Sequence, residues 1–229
     1  MNDEKKNWEA AMSTGCYFGC GNKYTEDLCK RRDDEAILDA SLSAIGAISG
    51  IHQDNHREGF FDIKEEGKDW KVLEIGCGYG LYAAHFTKFV KEYIGVDVSE
   101  TIVNIGNVAL KEAEINNAEL FVVQNCDLSF IPDNSIDLIF TAAVFIHTPL
   151  DITKEYLRQT YKKLKPGGKF LHHFNICSLE EGLHKIVWHV FTEEELNNIF
   201  EGTLLERTAQ FDNKCYAKNQ WMRYIYGVK

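Results

Sequence analysis

The fold class predicted by the sequence is α/β, with a doubly wound parallel sheet behind an N-terminal helical cap. Three observations predict it. From Trp70 onward, short runs of Val, Ile, Leu and Phe alternate with helical patterns, and runs apolar nearly throughout are what strands covered by helices on both faces look like. The first run leads straight into Gly76-Cys77-Gly78-Tyr79-Gly80, a tight strand-to-helix turn. Acidic residues then stand at or near the ends of successive strands, as Glu74, Asp97 and Asp127.

Residues 1–69 contain no strong strand. Within them, Ile37, Leu38, Leu42, Ile45 and Ile48 follow close to helical spacing, so this part reads as a helical cap and residues 70–229 as the main domain. Strands are predicted at Lys71–Ile75, Tyr93–Val98, Leu120–Gln124, Ile136–Ala142 and Lys169–Phe174, with helices over Leu81–Phe89, Glu100–Asn116 and Ile152–Leu164. Such alternation implies parallel strands joined by crossover helices. Thr192 with Glu195 three residues on is a capping box opening a helix to about Phe200. Two further runs, Leu204–Phe211 and Gln220–Val228, are placed to pair as a hairpin.

Among 229 residues, 25 basic and 35 acidic side chains give a formal charge of −10. No extended Lys/Arg stripe is present, which argues against broad nucleic-acid binding. The polar start, Met1 to Ala11, has no apolar stretch of signal-peptide length, so a cytoplasmic location is expected. The most apolar run, Leu138 to Ile146, is less than half of the roughly 20 residues that span a bilayer, so no membrane association is expected. Seven cysteines, an odd number, read as reduced thiols rather than a disulfide framework. Cys16, Cys20 and Cys29 do not have the spacing of a usual zinc site, and no metal is expected.

Glycines at the carboxyl end of a strand fall where ligands bind in open α/β sheets. The loop is G-x-G-x-G and lacks the dinucleotide spacing G-x-G-x-x-G, which disfavours a nicotinamide-dependent oxidoreductase. Glu74 beside the loop would repel a pyrophosphate and suits a cationic, phosphate-free ligand. A carboxylate at the end of the second strand, Asp97, can accept hydrogen bonds from both hydroxyls of a ribose.

As a set, Val72-Leu73-Glu74-Ile75-Gly76-Cys77-Gly78-Tyr79-Gly80, Gly95-Val96-Asp97-Val98-Ser99, Asn125-Cys126-Asp127, Ser135 to Phe140 and Leu164-Lys165-Pro166-Gly167-Gly168-Lys169 resemble the ordered motifs of class I S-adenosylmethionine-dependent methyltransferases of the small-molecule type. The resemblance covers about residues 70–174. It implies a Rossmann-like seven-stranded sheet with an antiparallel last strand, and S-adenosyl-L-methionine as cofactor. By the same resemblance, Gly76, Cys77, Gly78 and Gly80 line the methionine part, with Glu74 beside them. Asp97 holds the ribose, Val98 packs on the adenine, and Asp127 with Leu128 meets the adenine edge.

Methyl transfer is an in-line displacement for which the protein mostly positions the reactants. A hydroxyl acceptor benefits from a general base, whereas a desolvated neutral amine does not need one. Candidate catalytic residues lie where strands end: His147 after the fourth, and His172 and His173, with Asn175 beyond them, at the end of the fifth. His147 also matches a position where small-molecule methyltransferases often carry histidine. Alternation along a strand lets only one of His172 and His173 face a site. Tyr24, in the glycine- and aromatic-rich segment Tyr17 to Tyr24, suits a lid over the sulfonium, because aromatic faces attract cations. The expected partner is a small polar acceptor, methylated at oxygen or nitrogen. Methylation of a macromolecule and a noncatalytic nucleoside-binding module are the alternatives, and no oligomer signature is legible.

Overall fold

The computed structural model describes residues 61–177, 190–214 and 220–229. The expected cap helix over 33–51 and the lid residue Tyr24 lie outside them. The described residues fall into two compact units that divide between Asn125 and Cys126.

The first unit opens with a short helix α1 (Ile63–Glu66), begun by Asp62, whose side chain accepts from the backbone N–H groups of Lys64 and Glu65. Strand β1 (Lys71–Ile75) follows, then the glycine turn, the one-turn helix α2 (Ala83–Phe86), β2 (Glu92–Asp97), α3 (Glu100–Glu112) and β3 (Ala118–Val122). The strands pair in parallel, β1 with β2 from Lys71↔Glu92 to Ile75↔Val96 and β2 with β3 from Tyr93↔Ala118 to Asp97↔Val122. Val72, Leu73, Tyr93 and Val96 are wholly buried, as the apolar runs require. Ser99 begins α3 by accepting the N–H of Ile102, and α3 ends where Glu114 turns left-handed at φ 57°.

The second unit contains β4 (Ile136–Thr141), α4 (Leu150–Lys163), β5 (Leu164–Cys177), α5 (Glu193–Glu201), β6 (Glu206–Lys214) and β7 (Gln220–Val228). β4 and β5 are parallel, and β7 is antiparallel to both β5 and β6. The capping box at α5 is formed, with Glu195 N–H donating to Thr192 Oγ1 at 3.1 Å and Thr192 N–H to Glu195 Oε2 at 2.9 Å. The strand order is β3-β2-β1-β4-β5-β7-β6, which is the seven-stranded, doubly wound sheet with an antiparallel last strand that the motifs imply.

β5 begins five residues before the predicted Lys169. The ladder with β4 jumps from Ile136↔Leu164 to Leu138↔Lys169, and Lys165-Pro166-Gly167-Gly168 fills the gap. Gly167 sits at φ 76° and its N–H donates to Lys229 O, while Lys229 N–H returns to Gly168 O. Among the described residues, no helix is long and apolar enough to cross a membrane.

Candidate functional site

In the first unit, the N–H groups of Gly76 and Cys77 both donate to Val96 O, at 2.7 and 3.0 Å, which carries the end of β1 across β2. Gly78 then takes φ 54°, a conformation costly for side-chain-bearing residues. Its N–H donates to Asp97 Oδ2 at 3.0 Å, and a Cβ placed there would stand in open space. Ser99 N–H donates to the other oxygen, Oδ1, also at 3.0 Å. Each oxygen of Asp97 is thus fixed by one backbone donor, which sets the direction of a carboxylate at the end of β2. Val98 is half-buried and presents surface beside this carboxylate.

The loop can settle because Gly95 has no side chain: a Cβ there would meet Leu120 Cδ2 at 2.5 Å and Cys77 Cβ at 2.8 Å. Gly106 on α3 plays the same part on the other side, where a Cβ would fall 2.7 Å from Tyr79 O. Burial first, then the nearby Asp97 and Glu74 carboxylates, hold the Cys77 thiol well above its usual range. It therefore packs as a small neutral side chain and is not a reactive thiol.

Glu74 lies beneath the loop, 1% exposed, and accepts from the Tyr93 hydroxyl. Burial, with Asp97 adding repulsion, raises its carboxyl well above the usual range. Its folded value exceeds its unfolded one, so its contribution to stability is fully present at acid pH and is lost as pH rises above the unfolded value near 4.3. In Glu74→Gln, which keeps the shape without the titration, the stability of the ligand-free protein at pH 8 relative to pH 5 should be higher than in wild type. Urea denaturation at both values checks this, and the same difference in both proteins would contradict the buried, proton-retaining placement.

Asp127 is exposed. The hydroxyl and N–H of Ser129 lower its carboxyl, with a smaller effect of Lys163, and the N–H distance to Oδ1 is 2.9 Å. Two left-handed residues, Asn125 (φ 54°) and Cys126 (φ 57°), precede it. Leu128 is wholly buried in the core, so only its backbone remains for an adenine edge.

The second unit separates the two neighbouring histidines. His172 is fully buried, with Nδ1 3.3 Å from Thr141 Oγ1 and Nε2 3.4 Å from Thr160 Oγ1. Phe145 and Phe170 flank its ring. Both nitrogens have threonine hydroxyl partners within an aromatic core. His173, on the opposite face, is 3% exposed and stacks on Tyr224 with ring centroids 4.7 Å apart. Its Nδ1 accepts the N–H of Ala143 at 3.0 Å, and its Nε2 has no partner. Burial, then the nearby His147, lowers its pKa to about 4.

Asn175, two residues on and on the same face, is 1% exposed with both amide atoms unpartnered. Each such atom costs about 1–3 kcal/mol of desolvation when left unpaired. Ala143 is held at φ 57°, a strained conformation for alanine of the kind that clusters at ligand sites. His147 closes a turn by donating its N–H to Val144 O at 2.8 Å and is half-buried. Among the described residues no group of three or more His, Cys, Asp or Glu is placed to hold a metal.

Tyr93, Gly106, Ala143 and Tyr224 are parts of these arrangements that the sequence reading did not single out. Gly95 lies inside β2, and a glycine inside a strand is the signal for close approach of another segment.

Known proteins resemble this region in sequence and fold. Residues 72–168 match the model of a methyltransferase domain. The chain is 34% identical over 116 residues to phosphoethanolamine N-methyltransferase 3 of Arabidopsis thaliana, covering 49% of this chain and 22% of that protein. It is 30% identical over 141 residues to the uncharacterized methyltransferase YcgJ of Bacillus subtilis (strain 168), covering 62% and 54%. Its fold is similar to the crystal structure of a SAM-dependent methyltransferase from Aquifex aeolicus, with a TM-score of 0.57 at 20% identity over 87% of this chain and 96% of that one. The chain spans about half or less of the length of these two curated relatives. Residues 72–168 carry the methyltransferase domain that the matched family model describes, on a sheet with the fold of class I S-adenosylmethionine-dependent methyltransferases.

Proposed function

We propose that this protein transfers a methyl group from S-adenosylmethionine to oxygen or nitrogen of a small polar acceptor. The observation that carries the reading is the Gly78–Asp97 turn, in which two backbone N–H groups, one on each oxygen, fix the carboxylate that ends β2 beside the glycine loop. That arrangement suits a ribose, and the open space at Gly78 suits close approach of a ligand to backbone. When bound, S-adenosylmethionine supplies an electrophilic methyl on a sulfonium.

The chain's own residues hold and orient. Gly76, Cys77, Gly78 and Gly80 take the methionine part above the buried Glu74, Asp97 takes the ribose, and Val98 takes the adenine. Asp127 and the Leu128 backbone take the adenine edge. Tyr24 belongs to this proposal as a lid residue. His147 orients the acceptor or removes its proton, and His173 touches the acceptor beside it. Small acceptors are favoured because a relative over this region is named a phosphoethanolamine N-methyltransferase, and phosphoethanolamine, ethanolamine and small alcohols head the panel to assay. No basic stripe favours a nucleic-acid substrate.

Calorimetry with S-adenosylmethionine, S-adenosylhomocysteine and NAD tests the cofactor, and binding of NAD alone would overturn the reading. Labelled methyl transfer into a metabolite extract, against RNA and protein fractions, tests the acceptor class; label confined to macromolecules would refute it. For Asp97→Ala, loss of charge-assisted hydrogen bonds worth roughly 1.5 to 3 kcal/mol each predicts a fall of tenfold or more in S-adenosylhomocysteine affinity. Asp97→Asn, which keeps the size but puts an amide nitrogen opposite a backbone donor, should fall almost as far. Unchanged affinity in a folded variant would remove Asp97 from the site.

A further inference from the structure

The two polar side chains on one face of β5 have a donor pattern that the reading above does not use. Ala143 N–H points at His173 Nδ1, so that nitrogen must carry a lone pair, and in a neutral ring the proton is then on Nε2. His173 therefore presents a single N–H donor of fixed direction. Asn175 adds one carbonyl oxygen and an NH2 group, two residues along the same face. The ladder between β4 and β5 ends at Thr141↔His172, so His173 and Asn175 stand beyond the end of β4, level with the loop that carries Ala143.

Among the described residues, the groups facing His173 are His147 and Tyr224, and neither is a permanent cation. Lys169, the basic residue on the same face of β5, is four residues back, about 13 Å at the usual rise of a strand. Arg223 stands beside Phe174 on the opposite face and pairs with Glu193. Two kinds of donor and one acceptor without a fixed charge match a neutral hydroxyl or carboxamide, which both donates and accepts. They are a poor match for a buried phosphate or carboxylate, whose desolvation needs a cation. Buried polar atoms without protein partners are expected where a ligand completes them.

We propose that His173 and Asn175 form the acceptor-anchoring pair: His173 Nε2–H donates to, and the Asn175 amide donates to and accepts from, a neutral hydroxyl or carboxamide group of the acceptor. This rests on the methyltransferase reading for the word acceptor, but the binding chemistry can be tested without turnover. It makes His173 a hydrogen-bond donor, so base work falls to His147.

The test is NMR on the full chain. Long-range ¹H–¹⁵N correlation should show the His173 ring as the Nε2–H tautomer, neutral at pH 6. Ethylene glycol and acetamide, at tens to hundreds of millimolar, should shift the His173 ring and Asn175 side-chain resonances. Acetate and methylphosphonate should not. In Asn175→Leu the shifts at His173 should weaken at least severalfold, and His173→Gln, which retains an N–H, should keep more of the binding than His173→Phe. An Nδ1–H tautomer, a ring charged at pH 6, shifts by the anions at equal or lower concentration, or no shift with either neutral probe would each overturn the proposal. S-adenosylhomocysteine calorimetry on the same sample reads the family function separately, so failure of one is distinguishable from failure of the other.

Discussion

His147→Ala should lower the rate of methyl transfer by roughly 10²- to 10⁴-fold, the usual range for loss of a general base, while leaving S-adenosylhomocysteine affinity within a few-fold. His147 sits in the loop after β4, in a turn fixed by its own N–H on Val144 O, and it is close enough to His173 to disfavour a charge there. Of the three candidate histidines, His172 has both ring nitrogens beside threonine hydroxyls inside the core. His173 has its lone pair taken by Ala143 N–H. His147 is the remaining candidate for the base. A hydroxyl acceptor should show the larger loss, because its nucleophilicity depends on deprotonation. For an amine, which loses its proton in solution, the drop should sit at the low end or below it. In wild type, the single-turnover rate on a hydroxyl should fall toward acid pH as the base is protonated, and that limb should vanish in the variant. Near-normal turnover by a folded His147→Ala protein would take the residue out of the site.

The strands that carry the site were legible because both their faces are buried: Val72, Leu73 and Ile75, and Leu138 to Phe140, put apolar side chains on both faces, which few other environments allow. The capping box at Thr192 was legible because its two bonds are local. Elements failed to read where a partner remote in sequence decides them. β3 lies two residues earlier than predicted because its register comes from pairing with Tyr93 through Asp97, and an apolar run does not encode that offset. Helix α2 covers Ala83–Phe86 rather than Leu81–Phe89 because the turn at Gly80 delays its start, and Phe89 N–H closes on Phe86 O.

The site divides in the same way. Asp97 is visible as an acid ending a strand after a glycine turn. Tyr93, donating to Glu74, and Ala143, donating to His173, act through contacts made only by folding. Strand alternation allows only one of His172 and His173 to face a site, and the packing of Phe145 and Phe170 around His172 is not legible in the strand itself.

The two neighbouring histidines should also make the protein acid-sensitive above the range of ordinary carboxylates. Burial lowers His172 to about 3, and burial with the nearby His147 lowers His173 to about 4, against about 6.5 in the unfolded chain. Between those values the unfolded state binds protons that the folded state refuses, so stability is fully present above pH 6.5 and falls as pH drops toward 4. Each ring contributes a loss of about 2 kcal/mol by pH 5 relative to pH 7.5, so the pair contributes about 4 kcal/mol, a large share of the roughly 5–15 kcal/mol typical of a domain. The exposed carboxylates Asp127 and Asp133 have lowered values and add their losses at still lower pH. His172→Phe isolates one ring, since Phe145 and Phe170 already line its place. The variant loses the contacts with Thr141 and Thr160 and should be less stable at pH 7.5, but its further fall to pH 5 should be about 2 kcal/mol smaller than that of wild type. Urea denaturation at pH 7.5, 6 and 5 gives both numbers. Equal falls in the two proteins would mean that His172 is protonated in the fold, which the aromatic walls and two hydroxyl partners of its ring do not permit.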